Sequence, residues 1–273
     1  MATTRELLDQ RYGPAHDVRA RDALNPVLET LLAHRSVRSF LPDALPAGTL
    51  ELLIAAAQSA PSSSNLQVWS VIAVEDRARK DRLAALAGDQ QHIRDVPLLL
   101  VFLADTARHA QVAEERATPS EGLSYLDTFL MGAIDAALAA QNALVAAESL
   151  SLGTVYIGAL RNKPEEVARE LGLRPGVSPM FGLCVGRPDP ARPAAVKPRL
   201  PQRAVAFREQ YGAHDLTREV SRYDQVMARF YAEQKLDQPS WSQHVSERLR
   251  TAERLNGRHR LREALATLGF PLR

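Results

Sequence analysis

A single cysteine, Cys184, occurs in 273 residues, so no internal disulfide can form and no cysteine-built zinc site exists. It sits in the apolar run MFGLCVG and reads as a buried structural side chain. The seven histidines are scattered, with no H-E-x-x-H and no i, i+4 pair flanked by a carboxylate, which argues against a metal centre. No G-x-G-x-x-G follows a strand and no P-loop is present. The stretch SAPSSSN lacks the G-x-S-x-G elbow of an activated serine. Neither charge sign dominates: 34 basic and 32 acidic residues leave a net charge of +2, too little to mark a nucleic-acid partner. The N-terminal MATTRELLDQRYG has no apolar signal-peptide core. An enzyme with this inventory needs a bound cofactor for its hard step.

A 45% hydrophobic fraction supports a globular core. Between Asp127 and Glu148 the only charge is Asp135. Gln141, Asn142 and many alanines make this run a buried core or interface helix, over about residues 121–150, rather than a bilayer span. The expected compartment is reducing, most simply the cytoplasm, with no membrane or nucleic acid as partner.

Residues 1–25 read as a polar, helical extension, and 26–273 as the main domain. In NPVLETLLAHR, Asn25 caps a helix and Pro26 takes its first position. LPAGTLELLIAAAQSA has Leu50, Leu53, Ile54 and Ala57 at helical spacing. VWSVIAVE, PLLLVFLAD, GTVYIG and MFGLCVG read as strands, the second apolar enough to be buried on both faces. Helices are expected in DRARKDRLAALAG, in NKPEEVARELG with Asn162 as cap, and over about 220–235 and 242–268. RPDPARPAAVKPRLP reads as an extended connector. Strands alternating with more numerous helices give an α/β or α+β architecture, a sheet between helical layers.

Polar clusters fall at the ends of these elements: HRSVR (34–38), SSSN (62–65), GDQQH (88–92) and KPRLP (197–201), with a glycine turn in YIGALRN (156–162). Each alone reads as a solvated turn or helix end. In order, the strings HRSVRSF, AQNALVAAESLSLGTVYIGALRN, FGLCVGRP and KPRLP resemble the FMN-dependent nitroreductase family, in its branch of oxygen-insensitive major nitroreductases and flavin reductase P. The resemblance runs from about His34 to about His244 and is weaker over the first 25 residues and the last helix.

The resemblance implies an α+β fold, a central mixed sheet sandwiched by helices, in a homodimer with FMN at an interface built around the long apolar helix. It implies that His34, Arg35, Ser36 and Arg38 contact ribityl, phosphate or pyrimidine oxygens, with Arg38 at the O2 edge or ribityl chain. Lys197 and Arg199 would clamp the phosphate. Arginine suits these oxygens because its charge is fixed and its donors are forked. Ser62, Ser63 and Ser64 would line the ring from the partner subunit's side, and Gln90 would bond its polar edge. Ile157, Gly158 and Ala159 would set backbone N–H groups near N5 and O4; the family often has a second glycine where this chain has Ala159.

The activity implied is that of an NAD(P)H oxidoreductase. NADPH or NADH gives a hydride to flavin N5 and leaves, and a nitroaromatic, quinone or flavin takes two electrons at the same position. No side chain need act as catalytic acid or base, and no metal is expected. One alternative is a flavin reductase supplying reduced FMN to a monooxygenase. Another class, non-enzymatic binding through the arginine-rich C-terminal stretch, weighs less than a solvated helix with i, i+4 pairs. In NADPH-selective relatives a segment before W-S-x-H carries an arginine pair; here AEQKLDQPSWSQH offers Lys235 between Glu233 and Asp237.

Overall fold

The computed structural model describes residues 3–18, 24–212 and 215–273. The parts of the expected N-terminal extension at 1–2 and 19–23 lie outside the described residues. The chain forms two compact units, Ser36–Pro193 with Leu255–Arg273, and Met1–Arg35 with Ala194–Arg254.

The larger unit is built on four strands, β1 (Trp69–Val74), β2 (Leu98–Asp105), β3 (Gly153–Ile157) and β4 (Val177–Gly186), in the order β1-β2-β4-β3. Every pairing between named strands is antiparallel, and the mixed character comes from one parallel bridge, Ser36 to Thr154. All eight residues of β2 are buried, as its unbroken apolar run requires of a central strand. Trp69, Phe102, Phe181 and Tyr156 make a continuous row of ring contacts, one from each strand.

Helix α3 (Thr49–Gln58) follows an N-terminal segment of this unit that the next section describes. The long apolar run forms α7 (Leu126–Ser149), preceded by a 3₁₀ turn at Glu121–Ser124. It has the length and apolarity to cross a membrane, yet 44% of its most apolar window is buried in the fold. Ala136, Ala139, Ala140, Ala143 and Ala147 are fully buried with Leu53 and Ala57 of α3. Alanine suits this face because it lets helix and sheet approach closely. Gly132 makes the tightest point: a Cβ there would lie 2.9 Å from the Val68 carbonyl oxygen and 3.0 Å from Ala104 Cβ. The opposite side leaves Leu126, Leu130, Ile134 and Leu138 exposed at four-residue spacing.

Helices α4 (Arg77–Leu86), α5 (Gln91–Asp95), α6 (Ala107–Glu115), α8 (Pro164–Glu170) and α11 (Leu261–Thr267) complete this unit. Two sequence readings need correction. Lys163, not Asn162, is the N-cap of α8; Asn162 closes the preceding 3₁₀ turn, and its Oδ1 accepts from Arg258 Nε at 2.9 Å. The single helix expected over 242–268 is broken. α10 (Trp241–Leu249) ends before two short 3₁₀ turns, and α11 follows. Asn256 and Gly257, both at positive φ (53° and 87°), lie between the two 3₁₀ turns, and no right-handed helix runs through them. The arginines of this stretch are therefore not on one continuous helix, and Arg250, Arg254 and Arg260 lie within 4 Å of Glu247, Glu247 and Glu263, as the expected solvated, ion-paired surface would have them.

The smaller unit contains α1 (Thr4–Tyr12), α2 (Pro26–Ala33), α9 (Leu216–Glu233) and α10. Thr3 and Glu6 make a reciprocal capping box on α1, and Asn25 caps α2 by accepting from the Leu28 N–H at 2.9 Å. Leu7, Leu8, Tyr223 and Met227 are buried hydrophobic side chains of this unit.

Candidate cofactor site

In the larger unit the segment after Arg35 runs extended beside β3. The Val37 N–H donates to the Thr154 carbonyl at 2.8 Å, and Val37 is buried over Gly153, where a Cβ would meet it at 2.8 Å. Alternation along this extended stretch turns Ser36 and Arg38 away from the buried Val37 side. Arg38 is exposed, and its Nη1 makes a long contact, 3.5 Å, with the Ser36 carbonyl.

The serine loop is organised by a residue of α7. Asp135, 2% exposed, accepts from Ser62 Oγ at 2.7 Å, from the Val68 N–H at 3.0 Å and from the Ser63 N–H at 3.3 Å. Ser62 Oγ in turn accepts from the Gln67 N–H at 2.7 Å. Ser64, Asn65 and Gln67 all sit at positive φ (48°, 55° and 54°). Such left-handed residues cost energy and persist where surrounding bonds over-determine them. Ser62 is thus committed to the loop's interior, while Ser63 and Ser64 are its exposed hydroxyls.

Gln90 stands at the N-cap of α5 and donates Nε2 to the Ala87 carbonyl at 2.6 Å, leaving its carboxamide oxygen as an acceptor. Two residues on, His92 has a buried Nε2 without a hydrogen-bond partner. Burial, and after it the positive charge of Arg38, hold this imidazole below its ordinary pKa. Ile157, 1% exposed, ends β3, and Gly158 and Ala159 open a 3₁₀ turn, Gly158–Asn162. A Cβ on Gly158 would touch nothing closer than the Arg161 guanidinium at 3.4 Å. No packing within the fold demands glycine here, so the space beside the backbone suits a ligand. Arg161 reaches back to the Met180 carbonyl, and burial lowers its pKa.

In the smaller unit, His34 is the C-cap of α2 and Arg35 follows, exposed, with Nη1 on the Ala33 carbonyl at 3.2 Å. Lys197 and Arg199 flank the buried Pro198. Two anchors pin this stretch: Tyr223 of α9 donates its hydroxyl to the Pro198 carbonyl at 2.9 Å, and Arg11 of α1 donates Nη1 to the Lys197 carbonyl at 3.0 Å. Arg11 also donates Nη2 to the carbonyls of Leu32 at 2.6 Å and His34 at 2.9 Å. One guanidinium therefore joins the two basic stretches of this unit.

Sequence reading located the clusters, His92 and Arg161 among them, but not the supports Asp135, Tyr223 and Arg11. Asp135 carried a signal, a lone charge in an apolar helix, because a buried carboxylate must find donors. No local pattern distinguishes Arg11.

FMN offers a phosphate, hydroxyls and a ring with a polar edge. The residues of each unit suit parts of it. In the larger unit Arg38 has no carboxylate partner among the described residues, Gln90 and the Ser63–Ser64 hydroxyls supply neutral polar groups, and Gly158 leaves room for close approach; in the smaller unit Arg35 and Arg199 likewise have no carboxylate partner among the described residues. Among the described residues no cluster of histidine, cysteine or carboxylate could hold a metal ion.

Residues 31–187 match the family model described as Nitroreductase family, and residues 197–273 match that of the Nitroreductase family, C-terminal domain. The chain is 39% identical over 227 residues to an FMN reductase (NADPH) of Bacillus subtilis, covering 81% of this chain and 90% of the relative. It is 40% identical over 224 residues to an oxygen-insensitive NADPH nitroreductase of Salmonella typhimurium, covering 81% and 90%. The solved structure of Bacillus megaterium NfrA2 superposes with a TM-score of 0.86 at 40% identity, covering 92% of this chain and all of that one. By these matches in sequence and in fold, the chain belongs to the nitroreductase family.

Proposed function

We propose that the protein is an FMN-dependent NAD(P)H oxidoreductase that reduces nitroaromatics, quinones or flavins by two electrons. The observation that carries this reading is that Arg35, Arg38 and Arg199 are exposed and, among the described residues, bonded through their guanidinium groups to main-chain carbonyls and to no carboxylate, so their charge is available to an anionic ligand. Relatives carrying the names FMN reductase (NADPH), NADPH-flavin oxidoreductase and oxygen-insensitive NADPH nitroreductase support it. FMN held by these residues would supply the redox chemistry, a two-electron transfer between the nicotinamide and the acceptor.

The chain's own part is binding and electrostatics. Lys197 and Arg199, with His34 and Arg35, hold the phosphate. Ser36 and Arg38 take the ribityl chain and the pyrimidine edge, where a fixed guanidinium charge favours the anionic form of the reduced ring. Gln90 accepts at the ring's polar edge. Ile157, Gly158 and Ala159 present main chain to the ring. Ser63 and Ser64 face the ring of the partner's site, and Ser62 holds that loop to Asp135.

Residues 26–273 act as the flavin-binding domain and residues 1–25 as an extension. A second copy covers the exposed stripe Leu126, Leu130, Ile134 and Leu138 of α7, giving a homodimer. The one cysteine, buried and unable to form an internal disulfide, suits a reducing, cytoplasmic setting. Burial drives the Cys184 thiol far above its ordinary pKa, so it takes no part in the chemistry.

A flavin-reductase role, delivering reduced FMN to a monooxygenase, is favoured by the relatives named FMN reductase. Steady-state NADPH oxidation with free FMN, a quinone and a nitroaromatic as separate acceptors distinguishes the two. Efficient turnover of the quinone and nitroaromatic supports the general oxidoreductase; turnover of free FMN alone supports the flavin reductase; none with any acceptor refutes both.

A further inference from the structure

We infer that Arg11, on a helix preceding the family-matched region, is a positioning residue that sets the geometry of the flavin-phosphate site. The inference rests on the FMN reading above. The family match begins at residue 31, whereas Arg11 lies in α1. The residue is only 7% exposed, and a guanidinium withdrawn from water must be met by acceptors. It meets carbonyls from stretches far apart in sequence, Leu32 and His34 on one side and Lys197 on the other. Its own carbonyl accepts from the Arg199 N–H at 2.8 Å.

Two consequences follow for an anion held by residues 34, 35, 197 and 199. Leu32 and His34 carry carbonyls at the C-terminal end of α2, which is the negative end of that helix and would oppose an anion bound beside it. Arg11 places a positive charge on those carbonyls and orients them toward itself. It also bonds both ends of the Lys197–Arg199 stretch, through the Lys197 carbonyl and the Arg199 N–H. With Pro198 buried between them, the two basic side chains are held on the side away from the packed surface. Arg11 need not touch the ligand; it acts through the main chain of residues that do.

The test uses full-length protein freed of flavin and titrated, by flavin fluorescence, with FMN and with riboflavin, which lacks the phosphate. Wild-type protein must prefer FMN; equal affinity for both would refute the phosphate assignment itself, whatever Arg11 does. In Arg11→Met the FMN-over-riboflavin preference should fall about tenfold or more, equivalent to ~1.4 kcal/mol, with riboflavin affinity little changed. A parallel loss of both affinities would make Arg11 a general stabilising residue and overturn the inference. Arg11→Lys keeps the charge but not the fork that spans three carbonyls; its preference should stay reduced, and full recovery would show that charge alone matters and overturn positioning. On a Lys197→Ala/Arg199→Ala background, Arg11→Met should lower the preference by much less than in wild type, and an undiminished effect there would also overturn it.

Discussion

Replacing Asp135 by alanine removes the one acceptor shared by three donors of the serine loop. The bonds from Ser62 Oγ (2.7 Å) and the Val68 N–H (3.0 Å) are short, and that from the Ser63 N–H (3.3 Å) is weaker. A hydrogen bond to a charged group contributes ~1.5–3 kcal/mol, and an amide left buried without a partner costs ~1–3 kcal/mol. Relaxation of Ser64, Asn65 and Gln67 out of their left-handed conformations gives part of this back, on the order of 1 kcal/mol each. The expected net loss is about 3 kcal/mol, a large share of the ~5–15 kcal/mol typical of a domain. Asp135→Asn keeps one oxygen, which can face Ser62 and Val68 together, and should lose about half as much. Urea unfolding at pH 7, followed by far-UV circular dichroism, measures both variants. Flavin retention on dialysis is the companion assay, because the freed loop no longer presents Ser63 and Ser64. A loss below ~1 kcal/mol for the alanine variant, with flavin fully retained, would refute the role assigned to Asp135.

Leu130→Glu with Ile134→Glu should turn a sedimenting dimer into monomers with reduced flavin content, since both side chains are exposed on one stripe of α7; a variant that still sediments as a dimer would move the interface elsewhere. His92 should produce a pH-dependent loss of stability: its pKa is lowered in the folded state, so the unfolded chain binds more protons below the ordinary value near 6.5. Its contribution is complete above that value and is lost as pH falls through the folded pKa, and His92→Gln should flatten the slope of urea midpoint against pH between 5 and 7 on the scale of one titrating group. NADPH should be preferred over NADH by only ~5-fold or less, because Lys235 is a single exposed ammonium near Glu233 and Asp237 and surface pairs contribute ~0–1 kcal/mol. The ratio of kcat/KM values with one quinone acceptor checks this, and a hundredfold preference would mean that another basic group reads the 2′-phosphate.

The four strands and the long helix were legible because burial imprints period and apolarity directly on them: β2 reads as a run without a polar residue until Asp105, and α7 as a helix with one charge. Helices α5 and α6 were not anticipated. The first is five residues long, and the second buries none of its residues, so neither carries an apolar stripe. The helix expected over 242–268 stops at Leu249, and Asn256 and Gly257, in left-handed conformation, keep it from resuming before α11. The site clusters were legible as motif strings, whereas their supports depend on bonds across large sequence separations: 186 residues from Arg11 to Lys197 and 73 from Ser62 to Asp135. No window of sequence contains both ends of such a bond. Only the lone charge of Asp135 announced that a partner had to exist.

The central claim, that this chain is a flavin-dependent NAD(P)H oxidoreductase, is tested most directly by the visible spectrum of the purified protein, reconstituted with FMN and titrated anaerobically with NADPH or NADH. The account predicts a yellow protein with about one FMN per chain, as expected for a site assembled once per subunit, whose flavin absorbance bleaches on adding nicotinamide and returns on adding a quinone. A protein that takes up no FMN, or whose bound flavin keeps its oxidised spectrum in excess of both nucleotides, would contradict it.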